Sequence, residues 1–118
     1  PRRLFFGTSY LKEIFECCQE LKVVDFNEVE GLNNADREVL AKTIPANVEK
    51  LNLIGLNYPR DEQIAVLLCR CNKIKVLGLE AYYISDESLT NIRQYLNLTL
   101  EELSLAQADN NVSMVFLL

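Results

Sequence analysis

Four short apolar segments recur at nearly constant intervals in this chain, and no other feature of the sequence constrains the fold as strongly. They begin at Leu21, Val48, Ile74 and Leu100, so the intervals are 27, 26 and 26 residues. Each segment has apolar residues at its first, fourth and sixth positions, a pattern that predicts a short β-strand with one buried face. The regular spacing favours a stack of equivalent units over an ordinary α/β domain with coincidental spacing.

Helix signals fill the intervals between these segments. A helix is predicted from about Asn34, and Pro45 ends it because proline cannot continue a helix. Predicted N-caps, whose side-chain oxygens accept from free amides of the first turn, are Thr8 or Ser9, Asp61, and Ser85 or Asp86. The apolar residues expected on the buried helix faces are Leu11, Ile14, Phe15, Cys18, Val39, Leu40, Ile44, Ile64, Leu67, Leu68, Cys71, Leu89, Ile92 and Leu96.

Stacking such units side by side predicts an α/β solenoid. Each strand is too short to be stable alone, so stability comes mainly from the interfaces between neighbouring units. Helices are wider than strands, so we expect the array to curve, with a short parallel sheet on the concave side and helices on the convex side. We also expect the array to be right-handed. The 118 residues are predicted to form one domain, made of a partial repeat 1–20, repeats 21–47, 48–73 and 74–99, and a terminal partial repeat 100–118.

Both ends of the chain are expected to carry incomplete units. A first strand is expected at Leu4–Phe6, unless that unit lacks one. The apolar run 112–118 is read either as a closing strand or as a truncated helix. Such ends expose apolar edges unless they are capped, so self-association through the repeat ends is a further expectation.

The unit resembles the cysteine-containing leucine-rich repeat, whose pattern is L-x-x-L-x-L-x-x-C-x-x-I-T-D-x-x-L-x-x-L-A-x-x-C-P. The resemblance covers roughly residues 6–105, and the best match is formed by Val48, Leu51, Leu53, Pro59-Arg60-Asp61, Ile64, Leu67, Leu68 and Cys71. Ile84-Ser85-Asp86 is similar to the Ile-Thr-Asp of the pattern, shifted by one residue. The loop Cys or Asn of the pattern is replaced by Val29, Leu56, Tyr82 and Ala108, which predicts apolar packing there.

Repeats of this type are best known from F-box proteins, the substrate-recognition subunits of cullin-type ubiquitin ligases. The resemblance therefore implies recognition of a protein substrate. The sequence shows no F-box segment, and similar repeats occur in unrelated adaptors and in pathogen effectors. A free-standing scaffold or adaptor protein is therefore the alternative to a ubiquitin-ligase subunit.

Charge argues against two classes of partner. The net charge is −5 and the pI is about 4.7. Nucleic-acid affinity comes mainly from basic groups, and anionic membrane surfaces also attract basic segments, so neither is an expected partner. No apolar run reaches the roughly 18 residues of a membrane span. We expect a cytoplasmic location, with the nucleus as the alternative.

Four cysteines allow two interpretations. Cys17, Cys18, Cys69 and Cys71 form two pairs, but no histidine is present and Cys17 and Cys18 are adjacent, unlike the usual spacing of zinc ligands. We expect free thiols buried at helix ends, with no metal, because the repeat arrangement places the pairs two units apart. Free thiols favour a reducing compartment. The sequons at 97–99 and 111–113 point instead to secretion.

The expected binding site is the concave face of the sheet. Side chains alternate across a sheet, so residues between the buried ones point away from the core. Tyrosines in the loops would add contact area, because aromatic residues are enriched in interface hot spots, although Tyr58, Tyr82 and Tyr83 could instead fill the core. The predicted partner-binding residues are Asp25, Asn27, Lys50, Asn52, Ile54, Tyr58, Gly78, Glu80, Tyr82, Tyr83, Glu102 and Ser104.

We predict no enzymatic activity, cofactor or metal. The chain has no histidine, no glycine-rich phosphate loop and no nucleophile beside a base. Asp86 and Glu87 could be read as paired carboxylates, but a helix N-terminus favours negative charge there. Cys69 as a nucleophile would need electropositive surroundings that Arg70 alone does not supply.

Overall fold

The chain has a mixed α/β fold in which a helix follows most of the strands. The computed structural model describes residues 4–5, 8–26, 29–30, 34–54, 59–81, 84–107 and 112–117. Within these residues the elements are β1 (Leu4–Phe5), α1 (Thr8–Cys17), β2 (Val23–Asp25), β3 (Val29–Glu30), α2 (Asn34–Thr43), β4 (Lys50–Asn52), α3 (Asp61–Arg70), β5 (Val76–Glu80), α4 (Asp86–Leu96), β6 (Glu102–Gln107) and β7 (Val112–Leu117).

The main sheet has the order β2-β4-β5-β6-β7, and its first four strands are parallel. Val23 pairs with Lys50, Lys50 with Val76, and Val76 with Glu102, so the register advances by 27, 26 and 26 residues. These are the intervals of the apolar segments in the sequence. Each pair of neighbouring parallel strands is joined through one of the helices α2, α3 and α4.

The strands form because every second side chain enters a common core. The equivalent residues Leu51 and Leu77 are 1% and 0% exposed, and Leu53 and Leu79 are both 0% exposed. They belong to the same buried cluster as the inward residues of the helices, which include Leu40, Ile44, Ile64, Leu67, Leu68 and Leu96. The described helices therefore cover one face of the sheet and leave the other face, here named the open face, uncovered.

Neighbouring units are also joined by hydrogen bonds that repeat with the period of the sequence. The Lys22 carbonyl accepts from the amides of Glu49 and Lys50, and the Glu49 carbonyl accepts from those of Lys75 and Val76. In the turns before the strands, side chains also form hydrogen bonds between neighbouring units. There, Lys73 Nζ lies 3.0 Å from Asn47 Oδ1, and Thr99 Oγ1 donates to the Ile74 carbonyl at 3.0 Å.

Helix boundaries agree with two of the predicted signals and correct a third. The α2 helix runs from Asn34 to Thr43 and ends just before Pro45, and Ser85 caps α4 by accepting from the Glu87 amide. The predicted Asp61 cap is wrong, because the N-cap of α3 is Arg60 and the Arg60 amide donates to Gln63 Oε1 at 3.0 Å. Asp61 instead accepts hydrogen bonds from Ser85 and Ser88 at the start of α4.

Two helix residues predicted to be buried are exposed because their helices lie at the ends of the layer. Ile14 on α1 and Leu89 on α4 are each 40% exposed, and Cys18 after α1 is exposed. Helix α2 packs between α1 and α3, and α3 packs between α2 and α4. The outer helices have a helical neighbour on one side only among the described residues, so part of their apolar surface stays in solvent.

The two ends of the chain depart from a simple stack. β1 forms within the predicted Leu4–Phe6 segment, but it pairs with β3 in a separate two-stranded sheet. β7 is a strand and not a truncated helix, and it pairs antiparallel with β6 over six residues, from Glu102↔Leu117 to Gln107↔Val112. The parallel sheet thus ends against a strand of opposite direction. Within the described part of the chain, no helix combines the length and apolarity required to cross a membrane.

Candidate functional site

The open face of the sheet contains a shallow depression of about 250 Å³ that crosses four parallel strands. It is formed by the alternate side chains that point away from the helices. Seven predicted partner-binding residues line it, namely Asp25, Lys50, Asn52, Ile54, Gly78, Glu102 and Ser104, together with Val23 and Val76. The structure therefore brings these residues together, and their role in binding stays a prediction. The predicted residues Asn27, Tyr58, Tyr82 and Tyr83 lie outside the described residues.

Glu80 must be removed from the predicted site. Its side chain is only 1% exposed, so it offers no surface to a partner. Glu80 is the last residue of β5, where its strand neighbour Ala106 is also buried, at 7% exposure. Alternation along a strand correctly gives the side of the sheet on which a residue lies, but it does not give what covers the end of the strand.

The space in front of Gly78 is occupied by the side chain of Asn52. A Cβ added at Gly78 would lie 2.7 Å from Asn52 Oδ1 and 3.0 Å from Ile54 Cδ1. Asn52 is held there because Oδ1 accepts from the Ile54 amide at 3.0 Å and Nδ2 donates to Asp25 Oδ1 at 3.2 Å. At the centre of the open face, the Asn52 side chain is therefore hydrogen-bonded both to the Asp25 side chain and to the Ile54 backbone.

The charges of the open face alternate in sign. Lys50 is exposed and lies between Asp25 on the preceding strand and Glu102 two strands further on. At the start of the strands, Glu49 lies 3.7 Å from the ammonium groups of both Lys22 and Lys75. Exposed pairs of this kind contribute at most about 1 kcal/mol to stability.

β7 extends the open face beyond the predicted residues. Residues directly opposite each other on neighbouring strands share one face of a sheet, so Leu117 lies beside Glu102 and Val115 lies beside Ser104. Leu117 is 78% exposed, Val115 is 55% exposed, and Val23 at the opposite edge is 56% exposed. Val115 and Leu117 are absent from the predicted site because the apolar run 112–118 is compatible with either a strand or a helix. If the run is taken as a strand, the alternation of side chains places Val115 and Leu117 on the same face.

The cysteines form no common site in the structure. All four are free, as expected, but Cys17, Cys18 and Cys69 are exposed, so the prediction of buried thiols is wrong for these three. Cys17 is the last residue of α1, Cys18 follows it, and Cys69 lies on α3. No group of residues suited to a metal ion occurs among the described residues. Cys71 alone is buried, and this burial raises its pKa to about 11 despite the opposing charge of Arg70.

Comparison with known proteins adds no assignment. No protein-family model matches the chain, and no curated protein or solved structure is significantly similar to it. Function must therefore be inferred from the strand register and from the chemistry of the open face.

Proposed function

We propose that this chain is a leucine-rich repeat module of the cysteine-containing type, a right-handed solenoid that binds a protein partner on its sheet face and has no enzymatic activity. The observation that carries the proposal is the strand register of 27, 26 and 26 residues, with equivalent core residues at each step. Repeats of this construction present one uncovered, laterally extended sheet surface, which is the usual binding surface of solenoid proteins.

The composition of the open face favours a protein partner. It combines alternating charges with exposed aliphatic side chains at both edges, namely Val23, Val115 and Leu117. Exposed apolar side chains rimmed by polar groups are typical of protein interfaces. Among the described residues that line the depression, Lys50 is the one basic residue, which disfavours a polyanionic partner such as nucleic acid.

Within this class, we favour the substrate-recognition repeats of an F-box-like ubiquitin ligase subunit, on the resemblance of the repeat pattern alone. The alternative is a free-standing scaffold or adaptor protein. A ligase subunit requires a helical segment that binds a cullin adaptor elsewhere in its full-length chain, whereas a scaffold requires none. A cytoplasmic location belongs to either form of the proposal and agrees with the four free cysteines.

The binding proposal can be tested with a charge exchange that preserves net charge. The double variant Lys50→Glu with Glu102→Lys reverses two charges on the open face. The matched control, Lys12→Glu with Glu13→Lys, makes the same exchange at exposed positions of α1 on the helical side. Each protein serves as bait in affinity capture from cell lysate, read by quantitative mass spectrometry at matched salt.

We expect a set of proteins that the native chain and the control both retain and that the open-face variant loses. Ubiquitin-ligase subunits captured by the full-length protein would favour the first form of the proposal. Equal capture by all three baits would show that the open face does not bind the partner. Circular dichroism of each bait establishes that the variants are folded.

A further inference from the structure

The strand register places four equivalent residues in one row across the open face. They are the first residues of the parallel strands, in the order Val23, Lys50, Val76 and Glu102. All four line the depression. Val23 is 56% exposed, Lys50 is exposed, and Val76 and Glu102 are half-buried. This row, here named the first-residue row, therefore alternates aliphatic and charged side chains from strand to strand.

Two charges of the row are available to a partner. Among the described residues that line the depression, Asp25, Lys50 and Glu102 are charged. Asp25 Oδ1 already accepts from Asn52 Nδ2 at 3.2 Å. In contrast, Lys50 and Glu102 form no ion pair or side-chain hydrogen bond with another described residue. A partner that covers them must supply an acidic group over Lys50 and a basic group over Glu102, because a charge covered without a counter-charge is strongly unfavourable.

The distance between these two charges indicates which secondary structure fits. Lys50 and Glu102 begin strands that flank β5, so their Cα atoms lie two strand spacings apart, about 10 Å. Residues seven positions apart on an α-helix share a face and lie about 10.5 Å apart along the axis. On an extended segment, side chains of one face lie about 6.7 or 13 Å apart. A helix that runs across the strands therefore matches the row, and an extended segment does not.

The residue between the two charges sets the middle of the helix. Val76 lies between Lys50 and Glu102 in the row and is half-buried. Ile54 lines the same depression. Helix residues three or four positions after the first charge lie on the same face as both charges. An aliphatic residue at one of these positions buries its surface against Val76.

We propose that the open face binds one amphipathic α-helix of a partner protein, which lies across the strands. The helix carries an acidic residue over Lys50, a basic residue over Glu102 seven positions away, and an aliphatic residue between them. This inference rests on the binding role proposed above, because it describes the partner of the same face. The two charges and Val76 lie on β4, β5 and β6, inside the sheet, with β2 and β7 on either side.

The partner segment can be identified by photo-crosslinking. The photoreactive residue p-benzoylphenylalanine replaces Val23 in one bait and Ser104 in another, each in the complete 118-residue chain. Both positions line the depression and neither is charged, and their strands lie three spacings apart, about 14 Å. A control bait carries the same residue at Lys12, which is exposed on α1. Each bait is irradiated in cell lysate, and the crosslinked residues are located by mass spectrometry.

We expect the two open-face baits to crosslink to one segment of the same protein, at residues about ten positions apart, which is about 14 Å along a helix. The segment should contain the acidic, aliphatic and basic residues at the stated spacing. The Lys12 bait should not crosslink to it.

A second measurement tests the charge pairing directly. The crosslinked segment is synthesised as a fluorescein-labelled peptide, in its native sequence and with its acidic and basic residues exchanged. Fluorescence anisotropy follows binding of both peptides to the native chain and to Lys50→Glu with Glu102→Lys. We expect the native chain to prefer the native peptide about fivefold, the effect of a partly exposed ion pair, and the exchanged chain to prefer the exchanged peptide.

The outcomes separate this inference from the binding role on which it rests. Crosslinks about four residues apart would indicate an extended segment, as 14 Å requires, and would overturn the helix while the open face remains a binding surface. Equal affinities in all four combinations of peptide and chain would overturn the charge pairing. A crosslink to this chain itself, within one molecule or between copies, would also overturn the inference. If neither open-face bait crosslinks to a protein that the control misses, then the binding role and the inference both fail.

Discussion

The carboxylate of Asp61 accepts a hydrogen bond from the hydroxyl group of Ser88, 27 residues further along the chain, with 2.5 Å between Oδ1 and Oγ. The same carboxylate accepts from the Ser85 amide at 3.0 Å and from the Ser85 hydroxyl at 2.7 Å. The first residue of α3 therefore organises the first turn of α4. A bond that runs from one strand–helix unit to the next is the kind of contact on which the proposed stack of repeats would depend.

The first prediction concerns Asp61→Asn. Hydrogen bonds from Ser88 and Ser85 hold the pKa of Asp61 below its usual value of 3.8. A lowered pKa in the folded state means that the ionised carboxylate stabilises the fold above pH 3.8, and that this stabilisation is lost as the pH falls below it. We expect Asp61→Asn to lower the free energy of unfolding by about 1–2 kcal/mol at pH 7, measured by urea titration.

At pH 3 the difference between the Asp61→Asn variant and the native chain should be clearly smaller than at pH 7. Asp86→Asn is the matched control, because Asp86 is the exposed first residue of the next helix. Equal losses in the two variants would show that charge at a helix N-terminus, and not the contact between units, accounts for the effect.

The second prediction concerns Gly78→Ala on the open face. The added methyl group would meet Asn52 Oδ1 at 2.7 Å, so the Asn52 side chain must move and give up its bond to the Ile54 amide. We expect a loss of about 1 kcal/mol, the usual net contribution of one hydrogen bond. In an Asn52→Ala background the obstructing side chain is absent, and the same substitution should cost clearly less.

A double-mutant cycle measured by urea unfolding gives the coupling between positions 52 and 78. Equal costs of Gly78→Ala in both backgrounds would mean that Asn52 is not what the glycine accommodates. The cost would then come from Ile54 or from the backbone itself.

The strand positions and their register could be predicted because burial imposes a strict order on apolar residues. Val48, Leu51 and Leu53 recur as Ile74, Leu77 and Leu79, and the structure pairs these strands at the same interval. The side of the sheet on which Lys50 and Glu102 lie follows from the same alternation. Local signals also limited the cap of α4 to Ser85 or Asp86 and gave the end of α2 before Pro45.

Features that depend on neighbours could not be predicted in the same way. Leu89 has the sequence environment of a buried repeat residue, and only the absence of a further described helix beside α4 leaves it exposed. Asp61 has the sequence of a helix cap, but its hydrogen bonds go to the next unit. The antiparallel direction of β7 could not be predicted, because a run of apolar residues indicates that a segment is buried but not which strand it pairs with.

The third prediction compares two equivalent leucines. Leu77 lies between two neighbouring units and is 0% exposed, whereas Leu103 lies at the end of the stack and is partly exposed. Leu77→Ala should lower the free energy of unfolding by about 2–5 kcal/mol, the range for completely buried leucines. Leu103→Ala should cost less than half as much, because part of its surface is already in water. Comparable losses, measured by urea unfolding, would mean that a further segment covers Leu103 in solution.

The fourth prediction concerns the reactivity of the thiols. The Cys71 side chain is buried, with its sulfur 3.5 Å from the Ile44 carbonyl oxygen and 3.6 Å from that of Pro45. Burial raises the pKa of Cys71 to about 11, so almost none of it is thiolate at pH 8. Cys17, Cys18 and Cys69 are exposed. Iodoacetamide at pH 8 should therefore modify three thiols of the folded chain and all four in urea, as counted by intact-protein mass spectrometry.

The protection of Cys71 should report on the stack as a whole, since its sulfur contacts the end of the preceding unit. In the Leu77→Ala variant, modification of Cys71 should accelerate in proportion to the loss of stability, while peptide mapping shows unchanged rates at Cys17 and Cys18. The control is Leu103→Ala, in which Cys71 should stay almost as protected as in the native chain. If Cys71 reacts as fast as the exposed thiols in the native protein, then the contact between the units opens readily in solution, and the stack does not have the closed core described above.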